Sequence, residues 1–195
     1  MDTIKLDSVD STNLYAKENY GSFAKEGITC LIAEEQTAGR GQHQRKWISP
    51  RGVNIYATFY FQLPSSTPHL TNLAQLMALS FAKVLLEENL HPKIKWPNDI
   101  QLQGKKLSGV LCETIFQKEI VHIFLGIGIN VNLENTETID QPATSLFLET
   151  KKKWDKEALL KKLQEQFTND LQVFKREGFT PFEDPFKQLL IKVAE

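Results

Sequence analysis

Ile28-Thr29-Cys30-Leu31-Ile32-Ala33 is a largely apolar run, and Val53-Asn54-Ile55-Tyr56-Ala57-Thr58-Phe59-Tyr60-Phe61 alternates in character. The first predicts a buried strand and the second a strand with two distinct faces. Between them stands Glu34-Glu35-Gln36-Thr37-Ala38-Gly39-Arg40-Gly41-Gln42-His43-Gln44-Arg45-Lys46-Trp47, more chain than a hairpin needs. Gly39 and Gly41 allow the backbone to approach a ligand closely, and Arg40, Arg45 and Lys46 supply donors suited to carboxylate or phosphate. Trp47 adds a flat ring able to stack on a base. The composition is that of an anion-binding loop; an exposed, solvated basic turn is the alternative.

Working outward, Ser11 and Thr12 precede a helical segment from Asn13 to Tyr20 that Gly21 is expected to end. Leu70, Leu73, Ala74, Met77, Phe81, Val84 and Leu85 recur at spacings of three and four, the stripe of a long core helix. Ile94-Lys95-Trp96, Ile100-Gln101-Leu102, Lys106 to Cys112 and Ile120 to Val131 read as successive strands, with turns at Pro97-Asn98 and Gln103-Gly104. Glu149-Thr150-Lys151-Lys152-Lys153 reads as a solvated turn. Asp155 caps a last helix carrying Leu159, Leu160, Leu163, Phe167, Leu171 and Phe174 on one side until Gly178. The fold class is α+β: a mixed, largely antiparallel sheet with packed helices. Residues 1–180 form one domain, and 181–195 a short tail.

At 195 residues with 41% hydrophobic content, the chain suits a single core. A net charge of -1 argues against a general nucleic-acid binder, so any basic surface must be local. Two cysteines, Cys30 and Cys112, both in apolar runs, suit a reducing compartment. The four histidines lack paired spacing, so zinc is not expected, and nothing suggests haem. No signal peptide or membrane-spanning run is visible, which gives a cytoplasmic expectation without a membrane partner.

Three further constellations carry chemistry. Lys95-Trp96-Pro97-Asn98-Asp99 projects an amide and a carboxylate from a turn fixed by proline; self-bonding of Asn98 and Asp99 within a tight turn is the plainer account. Gly104-Lys105-Lys106-Leu107-Ser108-Gly109 places two lysines at a strand start, where one should face inwards and need an anionic partner. Lys106 is taken as that one. Gly126-Ile127-Gly128-Ile129-Asn130-Val131-Asn132 ends an apolar strand with glycines that admit a close approach, or alternatively mark a bulge.

Together, Asp10-Ser11-Thr12-Asn13, Gln36 with Gly39-Arg40-Gly41, Lys95-Trp96-Pro97-Asn98-Asp99, Lys106-Leu107-Ser108-Gly109 and Gly126 to Asn130 resemble, in order, the signatures of the biotin protein ligase catalytic domain. The tryptophan-proline-asparagine-aspartate segment is the most specific. The resemblance implies a core similar to those of class II aminoacyl-tRNA synthetases and lipoate ligases. It also implies a two-step reaction, in which biotin and MgATP give biotinyl-5′-AMP and pyrophosphate, and a lysine of a biotin carboxyl carrier protein, commonly that of acetyl-CoA carboxylase, then takes the biotinyl group.

By carry-over from those motifs, biotin is expected against Ser11, Thr12, Asn13, Gln36, Gly39, Arg40, Gly41, Gln42, Lys106 and Gly109. ATP and the adenylate are expected against Arg40, Gln42, Arg45, Trp47, Asn98, Lys106 and Asn130. Lys106 and Arg40 would be the catalytic cations, and Asp99 a candidate Mg²⁺ contact, with no other protein ligand to the metal assigned. Two unit charges about 4 Å apart repel by roughly 4 kcal/mol at an effective dielectric near 20, so carboxylate and α-phosphate need such cations. No side chain need act as covalent nucleophile.

Where relatives usually continue Gly-Arg-Gly with an arginine, this chain has Gln42, which cannot supply a guanidinium's charge. Arg45 or a protonated His43 is left to compensate. The chain starts almost at the Asp-Ser-Thr-Asn motif, so no amino-terminal DNA-binding domain and no DNA partner are expected. It stops near where a small carboxy-terminal β-domain often follows. Exposed sheet edges would permit a homodimer. Lipoate or octanoate attachment on the related fold is the competing enzyme reading, and an inactive biotin- or nucleotide-binding module the competing non-enzyme one.

Overall fold

The computed structural model describes residues 1–42 and 45–191, so His43, Gln44 and 192–195 lie outside the described residues. Its strands are β1 (Asp2–Val9), β2 (Thr29–Gln36), β3 (Ile55–Pro64), β4 (Lys93–Lys95), β5 (Asp99–Leu102), β6 (Lys105–Gln117) and β7 (Ile120–Ile129). They form one seven-stranded sheet in the order β1-β2-β3-β7-β6-β5-β4. The β1 and β2 strands run parallel, and every other neighbouring pair is antiparallel. The helices are α1 (Thr12–Asn19), α2 (Leu73–Glu87), α3 (Leu146–Thr150), α4 (Lys156–Glu177) and α5 (Glu183–Leu189). The expected α+β architecture, a mixed and largely antiparallel sheet with packed helices, is the one observed.

Strand periodicity decides which face does what. Ile55, Ala57, Phe59, Phe61 and Leu63 of β3 join Val121, Ile123, Leu125, Ile127 and Ile129 of β7 in the main core, packed with residues of α2 and α4. The intervening residues point the other way: Tyr60 and Phe124 join Leu31 and Ala16 in a smaller cluster that seats α1. At the remaining positions of that second face stand Thr58, Gly126 and Gly128, and there the small-residue strand opens a cleft.

The α2 helix is buried nearly all round because α4 lies over it. Ser80 donates to Asp170 at 2.7 Å and Lys83 reaches the other oxygen of that carboxylate at 2.7 Å, so the one buried acid of α4 is satisfied by its neighbour. Asp155 caps α4 by accepting from the amides of Glu157 and Ala158. Among the described residues, no helix is long and apolar enough to cross a membrane.

Several expectations need correction. Gly21 does not end the first helix in a left-handed turn; the chain leaves α1 through a 3-10 turn, Tyr20–Ser22. The first strand, with its charged residues and only Ile4 and Leu6 for apolar content, went unread because an edge strand buries little. Glu149 and Thr150, read as turn, close α3, which Ser145 caps, and Lys151 takes the left-handed conformation that follows. The segment read as a tail packs inward: Phe182 and Phe186 belong to the core, and Ile191 N–H donates to the Ile94 carbonyl at 2.9 Å. No bulge occurs at Gly126 or Gly128, whose registers on both sides are continuous. The sheet's irregularity lies at Ile100/Gln101, where β5 faces β6.

Candidate functional site

The loop after β2 folds back on itself. Arg40 and Lys46 pair as an isolated bridge, Gly41 N–H donates to the Arg45 carbonyl at 2.7 Å, and Trp47 N–H donates to the Gly39 carbonyl at 2.9 Å. Gly39 is buried, and a Cβ there would collide with the Trp47 carbonyl and the Ser49 hydroxyl. The loop's base is therefore a fixed platform.

Beneath it lies a cleft of about 100 Å³ that gathers most of the expected residues: Ser11, Thr12, Asn13, Gln36, Arg40, Gly41, Gln42, Arg45, Trp47, Asp99, Lys106 and Gly109. Among the described residues, four cationic side chains line it, Arg40, Arg45, Lys46 and Lys106, against one carboxylate, Asp99. The local basic surface absent from the overall charge is found here. A second cavity of about 200 Å³ shares Lys46, Trp47 and Lys106 with the first and includes Asn130. The indole of Trp47 thus stands at the boundary of the two.

The glycines of β7 account for this crowding. A Cβ on Gly126 would strike the Asn13 amide, and one on Gly128 would strike the Trp47 indole. Both side chains rest directly on the sheet backbone because those two residues have none. The indole Nε1 of Trp47 is buried without a hydrogen-bond partner among the described residues, and the Lys106 ammonium lies 5.5 Å from the ring centroid.

At the polar end of the cleft, Gln36 Oε1 accepts from the Thr12 backbone N–H at 2.9 Å, and Gln36 Nε2 donates to Ser49 Oγ at 3.0 Å. At the cationic end, Lys106 Nζ lies 2.8 Å from Asp99 Oδ1, with side chains 14% and 25% exposed. The expected inward lysine and its anionic partner are both present. The Lys106 backbone is clamped as well, donating to Pro142 and accepting from Thr144. Gly109 leaves room beside this pair, since a Cβ there would sit 3.1 Å from Lys106 Cε.

Three expected contacts have other partners. Asn98 is buried and donates to the Val110 carbonyl at 2.6 Å, so it anchors the turn and does not line the cleft. Asn130 donates to the Thr144 carbonyl at 3.0 Å and stands 3.4 Å from Asn54 Nδ2, bracing the segment that clamps Lys106. Asp99 is engaged by Lys106, and no group of three or more His, Cys, Asp or Glu side chains converges among the described residues. Residues not anticipated are Thr58, Ser49, Tyr56 and Gln141. The alternation 56, 58, 60 in β3 was the available signal for two of them. Tyr56 donates to the Pro50 carbonyl at 2.8 Å, and burial pushes its phenol upward. Burial also pushes the thiols of Cys30 up to about 11 and Cys112 up to about 12, which keeps both protonated near neutrality.

Comparison with known proteins agrees with this geometry. The profile of the Biotin/lipoate A/B protein ligase family matches residues 6–130. The "Bifunctional ligase/repressor BirA" of Salmonella typhimurium is 33% identical over 188 residues, covering 94% of this chain and 58% of that protein. The "Biotin--[acetyl-CoA-carboxylase] ligase" of Mycobacterium tuberculosis is 36% identical over 141 residues, 70% of this chain and 51% of that one. A solved biotin protein ligase from Aquifex aeolicus in complex with biotin and ATP superposes with a TM-score of 0.84 at 34% identity, covering 100% of this chain and 80% of that chain. The chain thus spans a little over half the length of such curated relatives.

Proposed function

This chain belongs to the biotin/lipoate A/B protein ligase family, and on that premise we propose that it activates biotin with ATP and transfers the biotinyl group to a lysine of a biotin carboxyl carrier protein. The observation that carries the proposal is one cleft with two chemically different ends. Ser11, Thr12 and Gln36 offer uncharged donors and acceptors at one end, and Lys106, Arg40 and Arg45 offer charge at the other. Biotin has matching ends, a neutral ureido ring and a carboxylate. An octanoyl or lipoyl chain would leave the polar end unpaired, a large penalty for a site built to hydrogen-bond its ligand.

In the first step the biotin carboxylate attacks the α-phosphorus of ATP, forming the mixed anhydride and releasing pyrophosphate. Lys106 would bridge carboxylate and α-phosphate. Its ammonium is already held over the cleft by Asp99, so little reorganisation is required as charge develops. Arg40, at the rim, would neutralise phosphate charge, with Gln42 and Arg45 beside it. Mg²⁺ accompanying the nucleotide would screen the polyphosphate charge. With Asp99 engaged by Lys106, the nucleotide's own oxygens would be the metal's main ligands. Trp47 would stack on the adenine, with Asn98 and Asn130 bracing the backbone behind the site. In the second step the carrier lysine attacks the biotinyl carbonyl and AMP leaves.

The deciding experiment incubates the protein with biotin, MgATP and an apo-carrier, and scores the carrier by mass. A biotinyl increment on one lysine is expected. No gain with a carrier that a known ligase modifies would overturn the proposal, and gain with octanoate in place of biotin would assign the lipoate branch.

A further inference from the structure

The two cavities meet, and among the described residues the side chains at their junction are few. Trp47, Lys106, Lys46 and Gln141 border both the cleft of about 100 Å³ and the cavity of about 200 Å³ beside it. With biotin in the first and the adenosine in the second, the carboxylate and the α-phosphate meet at that junction. Lys106 and Trp47 are already accounted for by the reaction above. Lys46 is exposed and also borders a third groove, lined by loop residues between Gln36 and Ser49, so solvent competes for its ammonium. Gln141 is half-buried and differently held. Thr138, Ile139 and Asp140 run along the wall of the second cavity, and Gln141 is the residue at which that run reaches the cleft. The next residue, Pro142, accepts the Lys106 N–H at 2.9 Å, Ala143 pairs with Lys106 as an isolated bridge, and Thr144 N–H donates to the Lys106 carbonyl at 2.9 Å. Asn130 holds the Thr144 carbonyl in turn, at 3.0 Å. The backbone that carries Gln141 is thus tied directly to the strand that carries Lys106.

We propose that Gln141 is a further catalytic residue, whose side-chain NH₂ donates to a non-bridging oxygen of the α-phosphate while the adenylate forms. This rests on the biotin reading above and adds a group to its reaction centre. In that step a carboxylate oxygen forms a bond to the α-phosphorus, and the bond from that phosphorus to the oxygen bridging the β-phosphorus breaks, its electron pair leaving with pyrophosphate. In between, charge spreads over the equatorial oxygens of the phosphoryl group, and a donor fixed beside them acts on the transition state with little reorganisation. A neutral amide suits this place better than another cation. Asp99 stands at the same end of the cleft, 2.8 Å from Lys106, and would draw a second ammonium into an ion pair of its own. An uncharged NH₂ keeps its two donors for the phosphate.

The test compares wild type with Gln141→Met, which keeps the length and loses both donors, and with Gln141→Glu, which sets a carboxylate against the phosphate. Biotin-dependent exchange of pyrophosphate into ATP reads the first step alone. Gln141→Met should lower the exchange kcat by about 100-fold, the effect of losing one such donor. The KM for ATP, and the Kd for biotin measured by calorimetry without ATP, should stay within about threefold of wild type, the pattern of a contact made in the transition state. Gln141→Glu should fall at least as far, since it adds a like charge. An unchanged kcat in Gln141→Met overturns the proposal, and so does a raised KM for ATP with kcat preserved, which would make Gln141 only a wall of the nucleotide site. Loss of biotin binding in that variant would make the residue structural and overturns it as well. A wild type that exchanges no pyrophosphate in the presence of biotin overturns the biotin reading itself, before any variant is compared.

Discussion

Gly126→Ala should be far more damaging than a single methyl in a strand suggests, because of what stands above it. The φ of Gly126 is not positive, so the backbone itself would accept alanine, and removing a glycine would by itself favour the fold slightly. The obstacle is Asn13, whose Cγ would lie 3.0 Å from the added Cβ, with its oxygen closer still. That amide cannot yield cheaply, since it is buried and bonded on both sides, to Glu113 and two carbonyls and to Thr58. Overpacking costs about 1–3 kcal/mol, and stranding the amide or its partners adds about 1–3 kcal/mol. A loss of roughly 4 kcal/mol lowers Tm by roughly 8–16 °C for a domain of this size. Urea denaturation of wild type, Gly126→Ala, Asn13→Ala and the double variant isolates the coupling. In the Asn13→Ala background the glycine substitution should cost less than about 1 kcal/mol. Gly21→Ala, with nothing within 4 Å of the added carbon, is the neutral control. Additive losses in the cycle would refute the contact as the cause.

Three other outcomes are expected. Trp47→Ala should raise the KM for ATP by about 10- to 100-fold, the equivalent of one lost stacking contact of about 1–3 kcal/mol, while biotin binding in the absence of ATP changes little; steady-state kinetics and calorimetry distinguish these. Gln42→Arg adds a cation beside Arg40 and Arg45 and should slow adenylate release by about fivefold, so an unchanged off-rate in a filter-binding chase would remove Gln42 as a weak point of the clamp. His122 accepts from Tyr60 at Nδ1 and donates to Gln117 at Nε2, each at 3.0 Å, and burial lowers its affinity for a proton. The unfolded chain therefore binds that proton more readily, so the contribution of His122 to stability is complete above pH about 6.5 and is lost as pH falls toward its folded-state value. Urea midpoints across this window should show a slope that His122→Gln abolishes.

The sequence makes the cleft-lining residues legible and leaves the residues that hold them unread, for a physical reason. Binding an anion or a base constrains residue type: Arg40, Lys106, Trp47 and Gln36 stand out because few side chains can replace them, and the structure brings all four to one cleft. The sheet was readable for the same kind of reason, since apolar periodicity reports burial; β1 escaped because an edge strand carries so little of it. The type of an amide does not reveal its partner: in the fold Asn98 and Asn130 both brace backbone, and Asn130 also lines the second cavity. Thr58, Ser49, Lys17 and Glu113 are ordinary residues in ordinary positions, and only strand register gives them a role. Thr58 pairs with Gly126, and Gly126 pairs with Leu111, so three strands place a hydroxyl, a bare backbone and a carbonyl beneath one asparagine. Lys17 and Glu113 meet across 96 positions of chain. The glycines of β7 announced that something must come close to the backbone; what came close was the protein's own Asn13 and Trp47, so the close approach serves the ligand at one remove, by holding the groups that are to meet it.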